Sequence, residues 1–325
     1  MAALARCMPS ATAALHVTPR KAFSSSSGGG ASAAAAPAAR PSSSGGRSAH
    51  VCRSYTDPEV YSIAFNFRKF DVEVAHLLAM HQKHCSGALQ HFLEVACGPA
   101  QHAILLAKTA GCAATGLDIS PSMLAYAAQQ AQAAGAAGSL SLVEADMSKE
   151  GWAAQLAQPA DLACILLGSL AHCLDNGAAL RCFAELSKAV RPGGLLVLEL
   201  PHPSDLWGGY CLEEEQFIEA WDAESEDKSK TVLVEWGREG DHFDLQEQIL
   251  HRTVGLSCYH GDELVSSEVD VVPQRQFTLQ EIDLLGRATG FEVVEVHGDF
   301  DASIGLDHEE AFRSVMVLRR LPAAQ

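Results

Sequence analysis

The sequence predicts an α/β fold: a doubly wound, mostly parallel sheet with helices on both faces, and an inserted antiparallel β-sheet. Three observations carry this prediction. Between about residues 58 and 200, apolar runs of strand length alternate with helix-length stretches, the rhythm of successive βαβ units. Leu162–Leu167 contains no polar residue, as expected of a strand covered on both faces. From about residue 204 to 276 the rhythm breaks, and strand-like runs succeed one another without helices between them.

Asp57-Pro58-Glu59 supplies an N-cap, a proline at the first helical position and an early acid, and opens helices over about 58–68 and 71–85. Phe92–Ala96 is the first strand, broken by Cys97-Gly98-Pro99. A helix over about 101–110 and a strand at Ala113–Asp118 follow. Ser120-Pro121 opens a helix to about Ala134, and Leu140–Glu144 is the third strand. After Leu162–Leu167, a helix over about 177–190 stops at Arg191-Pro192-Gly193-Gly194, and Leu195–Leu200 is the next strand. An acidic segment, Glu213–Asp227, precedes strand-like runs at Thr231–Trp236, Phe243–Val254, Leu256–Tyr259 and Leu264–Val272. Short turns between these runs predict antiparallel pairing. Thr278-Leu279-Gln280-Glu281 is a capping box that restarts a helix to about Thr289, with Gly290 as its stop. Phe291–His297 and Phe312–Leu318 are the last strands.

Residues 1–56 stand outside this pattern. They are rich in Ala, Ser and Gly, and carry six basic residues and no acidic one. Such a segment cannot bury a core and is expected to be disordered. Its acid-poor, Ser- and Arg-rich composition is that of an organellar transit peptide, for chloroplast or mitochondrion. The folded domain is expected at 57–325, with 204–276 as an inserted subdomain covering the substrate. All 40 acids lie at or beyond Asp57, where they face 17 basic residues, a net charge of −23. That body repels a phosphate backbone and an anionic lipid surface, so neither nucleic acid nor membrane is an expected partner. No apolar run reaches the roughly 20 residues of a membrane span. The ten cysteines show no CxxC pair and no zinc-type spacing; they read as mostly free thiols, and no metal is expected.

Ligands of an open α/β sheet bind beyond the carboxyl ends of its strands, at the switch point. The first strand here ends in Glu94-Val95-Ala96-Cys97-Gly98-Pro99-Ala100. Small residues admit a ligand close to the backbone, and the following helix contributes N–H groups. Asp118 ends the second strand, 20 residues after Gly98, where a carboxylate can accept both hydroxyls of a ribose. The third strand leads to Glu144-Ala145-Asp146-Met147. Acids at three successive strand ends suit a neutral or cationic nucleoside and not a pyrophosphate. A nicotinamide site needs GxGxxG, and the register here is Ala-Cys-Gly-Pro-Ala-Gln.

Phe92–Ala100, Gly116-Leu117-Asp118-Ile119-Ser120, Ala145-Asp146-Met147 and Arg191-Pro192-Gly193-Gly194 resemble, in order and spacing, the motifs of class I S-adenosylmethionine-dependent methyltransferases. The resemblance runs from about residue 58 to 320 and includes Phe277–Phe300, which is similar to the family's closing segment. It implies a Rossmann-like sheet of seven strands, a methyltransferase activity, and S-adenosylmethionine as cofactor. By position, Glu94 is implied near the methionine amino end, and Ala96, Gly98 and Ala100 in the close-approach loop. Asp118 is implied on the ribose hydroxyls, Ile119 on the adenine, Asp146 on the adenine amino group, and Met147 beside the ring; Met123 joins the cofactor-binding set. Ala96 and Ala100 stand where the family usually has glycine, so the loop must tolerate a Cβ there.

Methyl transfer from a sulfonium is an in-line displacement, for which a protein mainly supplies proximity and orientation, worth roughly 7–11 kcal/mol. Gly168-Ser169-Leu170-Ala171-His172, after the fourth strand, lacks the Asn/Asp-Pro-Pro-aromatic motif of nucleobase and amide methylases. It also lacks the paired glutamates of protein arginine methyltransferases. The inserted strands are more similar in plan to small-molecule N- and O-methyltransferases, such as glycine/sarcosine N-methyltransferases and the amino-sugar N,N-dimethyltransferases of actinobacteria. A small-molecule acceptor methylated at nitrogen or oxygen is therefore expected. A macromolecular acceptor, or a non-catalytic cofactor-binding assembly factor, are the alternatives. The candidate catalytic residues are Tyr61, His172 and His202. Tyr61 and Arg68, seven residues apart, are expected on one helix face, the tyrosine near the sulfonium and the arginine on the cofactor's carboxylate. His172 and His202 follow neighbouring strand ends, where a base could sit. Trp207 and Tyr210, flanking two glycines, are expected in a lid, and Trp236 and Phe243 in the small core of the extra sheet.

Overall fold

The computed structural model describes residues 52–205 and 218–322. Five parallel strands form the heart of the larger sheet: β1 (His91–Val95), β2 (Ala113–Asp118), β3 (Leu140–Glu144), β4 (Ala160–Ile165) and β5 (Val190–Pro201). The insertion then contributes β6 (Glu219–Glu224), β7 (Thr231–Trp236), β8 (His242–Asp244), β9 (Ile249–His260) and β10 (Glu263–Arg275). These pair antiparallel in the order β10-β9-β7-β6, with β8 on β9. The chain returns through β11 (Phe291–His297) and β12 (Arg313–Arg320) to complete seven strands in the order β11-β12-β5-β4-β1-β2-β3. β12 runs opposite to the other six strands of that sheet and so pairs antiparallel with both β11 and β5.

Six helices accompany the strands: α1 (Pro58–Ala64), α2 (Phe70–His84), α3 (Gln101–Thr109), α4 (Pro121–Ala133), α5 (Asn176–Ala189) and α6 (Leu279–Thr289). Their starts follow the local chemistry. Asp57 accepts the Glu59 and Val60 amides, Ser120 accepts the Met123 amide, Asp175 accepts the Ala178 amide, and Thr278 with Glu281 closes a full capping box. One sheet face packs on α2, α3 and α4, with Leu77, Leu106 and Phe92 fully buried. The other packs on α5 and α6, around Phe183, Leu186 and Phe291. A third cluster joins α1 to the inner face of the inserted sheet, through Val60, Ile63, Phe65, Val232 and Leu256.

The structure departs from the sequence reading at five places. The first helix ends at Ala64, because the Phe65 amide turns back to Tyr61 and Ile63 and its ring locks into an aromatic cluster; Arg68 lies in the connection to α2, off the face of Tyr61. β6 forms inside the acidic segment, where Asp222 and Glu224 face outward with Ala220, and Glu219, Trp221 and Ala223 share the inner face. β9 is one continuous strand from Ile249, while β8 stops at Asp244, whose side chain accepts the Gln246 and Glu247 amides and turns the chain. β5 already pairs at Val190, with a register shift that absorbs the Arg191–Gly194 turn. The packed body also begins before residue 57: Cys52 is 3% exposed and Tyr55 meets Tyr61 edge-on, so the polar average of the N-terminus hid two packing residues. Among the described cysteines, all eight are free thiols. No described helix is long and apolar enough to cross a membrane, and no described group of His, Cys, Asp and Glu could hold a metal.

Gly116 of β2 lies under the turn that follows β1. A Cβ there would sit 2.9 Å from Cys97 Sγ, 3.1 Å from Leu142 Cδ2 and 3.4 Å from Ala100 Cβ. With three directions closed, no single rotamer change absorbs a methyl. Gly116→Ala is expected to cost about 1–3 kcal/mol through overpacking. It should appear as a lower urea midpoint at unchanged slope, and an unchanged midpoint would show that the turn yields freely.

Candidate functional site

Because β2 and β3 are laid down on one side of β1 and β4 and β5 on the other, the carboxyl ends of these strands surround a switch point. A cleft opens there. The turn after β1 supplies Ala96 and Gly98, and the end of β2 supplies Asp118 and Ile119, with Met123 from α4. The loop after β3 adds Asp146 and Met147, the loop after β4 adds Ser169 and His172, and the N-terminal elements close one wall with Tyr55 and Tyr61. Tyr61, His172, Ala96, Gly98, Asp118, Ile119, Met123, Asp146 and Met147, all singled out from sequence, thus meet in one cavity.

The turn after β1 is conformationally costly. Ala96, Gly98 and Ala100 have φ of +54°, +49° and +57°. Glycine adopts this region freely; an alanine does so at about 1–2 kcal/mol. Ala100 is fully buried at the N-cap of α3 and does not face the cleft. Asp118 holds the turn from the side: Oδ2 accepts the Gly98 amide at 2.7 Å and Oδ1 the Ser120 amide at 2.9 Å. Burial pushes its carboxyl above the usual range, against the pull of these amides. Asp146 accepts the Ser148 amide and hydroxyl through Oδ1, at 2.8 and 2.7 Å, and Oδ2 accepts no hydrogen bond among the described residues. Tyr61 lies over Gly98, with Cε1 3.8 Å from where a Cβ would stand. Burial raises its hydroxyl well above the ordinary tyrosine value, so it is a donor and not a base.

Three expected site residues are committed elsewhere. Arg68 is 9% exposed and donates to Glu73 Oε2 at 2.6 Å and to Glu199 Oε2 at 2.9 Å. Its guanidinium is consumed by two carboxylates and does not reach the cleft. Glu94 is 5% exposed; Oε1 meets His102 Nδ1 at 2.7 Å and Oε2 accepts the Ala103 amide at 2.9 Å. It braces the start of α3 and does not line the cavity. His202 stands outside the cleft too, with Nδ1 2.7 Å from Ser204 Oγ and Nε2 2.9 Å from the Leu306 carbonyl. The expected lid residues Trp207 and Tyr210 lie outside the described residues. Trp236 packs between α1 and the inserted sheet, as expected, and Phe243 is half-buried on β8.

Sequence reasoning missed Tyr55, Cys52 and Ser148 as lining residues. The first two were masked by the composition around them. Ser148, two residues after Asp146, carried the signal of a side chain that can tie down a loop acid.

The arrangement can hold a nucleoside: an acid at the end of β2, a second acid after β3, and a turn with no side chain at Gly98. Residues 92–194 match the family model of a methyltransferase domain. No curated protein sequence matches the chain. The CcbJ methyltransferase from Streptomyces caelestis superposes with a TM-score of 0.61 at 20% identity, over 83% of this chain and 98% of that one. A S-adenosylmethionine-dependent methyltransferase from Clostridium acetobutylicum gives 0.63 at 13% identity, over 81% and 97%. The sugar N-methyltransferase KedS8 from Streptoalloteichus gives 0.60 at 20% identity, over 89% and 100%. At these identities the likeness shows a shared fold.

The pairing of Arg68 makes a prediction. Burial works to raise the Glu199 carboxyl, but Arg68 and Arg313 outweigh it and hold it well below the usual range. A depressed carboxyl contributes stability above its unfolded pKa, about 4.3, and loses it as the pH falls toward the folded value. Arg68→Leu leaves Glu73 with His102 and Glu199 with Arg313 and the Leu167 amide, each short of one buried partner, and is expected to cost about 3–5 kcal/mol at neutral pH. The deficit should shrink as the pH falls below about 4, because the stability that the depressed Glu199 carboxyl gives the wild-type protein is lost there. Urea titrations at both pH values check this; a deficit independent of pH would assign the loss to packing.

Proposed function

We propose that this chain is a class I S-adenosylmethionine-dependent methyltransferase, a reading supported by the fold, the matched domain and the cleft, and that its acceptor is a small molecule, methylated at nitrogen or oxygen. One feature of the cleft supports this. Beside the Ala96–Gly98 turn the wall consists of Tyr55, Tyr61, Ser169 and His172, and α1 behind Tyr61 is backed by β6, β7 and β9. Such a wall suits a compact acceptor better than an extended stretch of polymer. KedS8, a sugar N-methyltransferase, shares the fold, which agrees with this reading.

The residues present fit the cofactor. Gly98 leaves open the space that a side chain would fill, Asp118 would take the ribose hydroxyls, and Asp146 Oδ2 would take the adenine amino group between Ile119 and Met147. The cofactor, when bound, supplies a methyl already activated for in-line displacement. The chain's task is to hold the acceptor in line and keep water out. Tyr61, protonated throughout the working range, can donate a hydrogen bond at the cleft wall. His172 stands where it can take a proton from an acceptor that carries one. Residues 1–51, outside the described region, are proposed to direct import into chloroplast or mitochondrion, on their acid-free, Ser- and Arg-rich composition.

Asp118→Ala removes hydrogen bonds to a ribose that contribute roughly 1.5–3 kcal/mol each. The dissociation constant for S-adenosylhomocysteine, measured by calorimetry, is expected to rise more than tenfold with the fold retained; unchanged affinity would leave Asp118 only a brace for the turn. A labelled-methyl screen of an organelle extract should place label in the metabolite fraction. Label confined to protein or nucleic acid would overturn the small acceptor. A fluorescent fusion of residues 1–51 should enter an organelle, and a purely cytosolic signal would refute the address.

A further inference from the structure

We propose that His102 is a positioning residue: a buried imidazolium that fixes Glu94 and, through it, the turn Ala96–Ala100. The inference rests on reading the cleft as the cofactor site, since that turn is the cleft's floor.

His102 is the second residue of α3 and 4% exposed. Its Nδ1 is 2.7 Å from Glu94 Oε1 and its Nε2 is 2.6 Å from Glu73 Oε2. Carboxylate oxygens only accept, so both ring nitrogens must donate, and the ring that does this carries two protons. A neutral imidazole would set a lone pair against one buried carboxylate. The charge count agrees. Glu73, Glu94 and Glu199 are joined in one cluster with Arg68 and Arg313, and the part-exposed Asp299 also reaches Arg313 Nε at 3.1 Å, so carboxylates outnumber guanidiniums four to two and a cationic His102 offsets one of the excess charges. The charged groups facing the ring are Glu73 from α2 and Glu94 from β1; the Phe70 ring meets it edge-on at 5.0 Å. Burial opposes the charge, but the two carboxylates outweigh it and hold the proton up to about pH 9.

The consequence for the site is geometric. Glu94 is two residues before Ala96, and its second oxygen holds the Ala103 amide, three residues after Ala100. The turn is therefore pinned at both ends by one side chain, whose own orientation is set by His102. Between the pins lie three residues at positive φ, two of them alanines. A strained turn of this kind persists only while its surroundings hold it.

A histidine with a raised folded pKa contributes stability fully below its unfolded value, about 6.5, and loses it as the pH rises through the folded one. S-adenosylhomocysteine affinity of the full-length protein is expected to be flat from about pH 6.5 to 8 and to weaken above about 9. In His102→Gln, affinity at pH 7.5 should be roughly tenfold weaker, the scale of a hydrogen bond to a charged group, with the alkaline inflection gone. Nitrogen-15 NMR of histidine-labelled wild-type protein should show one imidazole with both nitrogens protonated at pH 8, which tests the ion even where the variant fails to fold. Wild-type affinity and pH profile in His102→Gln, or no protonated histidine at pH 8, would overturn the positioning role while the cofactor reading stands. Absence of binding by wild-type protein at every pH would overturn the cofactor reading and this role with it.

Discussion

A chain of alternating buried charges, Glu94–His102–Glu73–Arg68–Glu199–Arg313, is the interaction on which the arrangement around the cleft depends. It joins β1, α3, α2, the α1–α2 connection, β5 and β12, elements drawn from both ends of the folded body. Buried ion pairs are weak evidence for stability in themselves, because desolvation offsets much of the attraction. What the chain supplies is geometry: each side chain is held by two partners, so none can rotate alone. Its reach extends to the loop after β4, where Glu199 Oε2 accepts the Leu167 amide at 2.7 Å and Leu167 is held at φ +52°. The strained backbone on both sides of the switch point, after β1 and after β4, is thus held by members of one network.

The second support is an aromatic layer. Tyr55 and Tyr61 meet edge-on at 5.4 Å, Tyr61 and Phe65 are 4.7 Å apart, and Phe65 contacts Trp221 and Trp236 of the inserted sheet at 6.1 and 5.9 Å. The Trp221 ring nitrogen donates to the Ala64 carbonyl at 2.9 Å, capping the end of α1. A seven-residue helix has little stability alone. Here α1 is held between the sheet ends and the insertion, and it carries Tyr61 to the cleft wall. The insertion therefore contributes to the site without its described strands lining the cleft.

Much of this was legible in the sequence. The caps at Asp57, Ser120 and Thr278 act within a few residues of themselves, and the strands β1 to β4 follow from short apolar runs. The acids at the ends of β2 and β3, and the small residues after β1, had to converge once the sheet was wound in this order, because strand ends at a switch point are neighbours. Nine of the thirteen residues singled out for the site meet in the cleft for that reason.

The rest was decided by tertiary contact. Sequence spacing placed Arg68 on the Tyr61 face, but the helix ends where Phe65 finds its aromatic partners, and the arginine turns to two carboxylates 5 and 131 residues away. Glu94 occupies the position expected of a site acid, yet a histidine eight residues on takes one of its oxygens. Local rules carry propensity, caps and periodicity, which depend on neighbours in the chain. The partner of a buried charge depends on which distant groups the fold leaves unpaired beside it, since only a partner offsets its desolvation. The amino-acid sequence by itself therefore determined the sheet, its winding and the edge at which the cleft opens, while only the folded molecule decided which acids face that cleft and which are spent holding the turn in place.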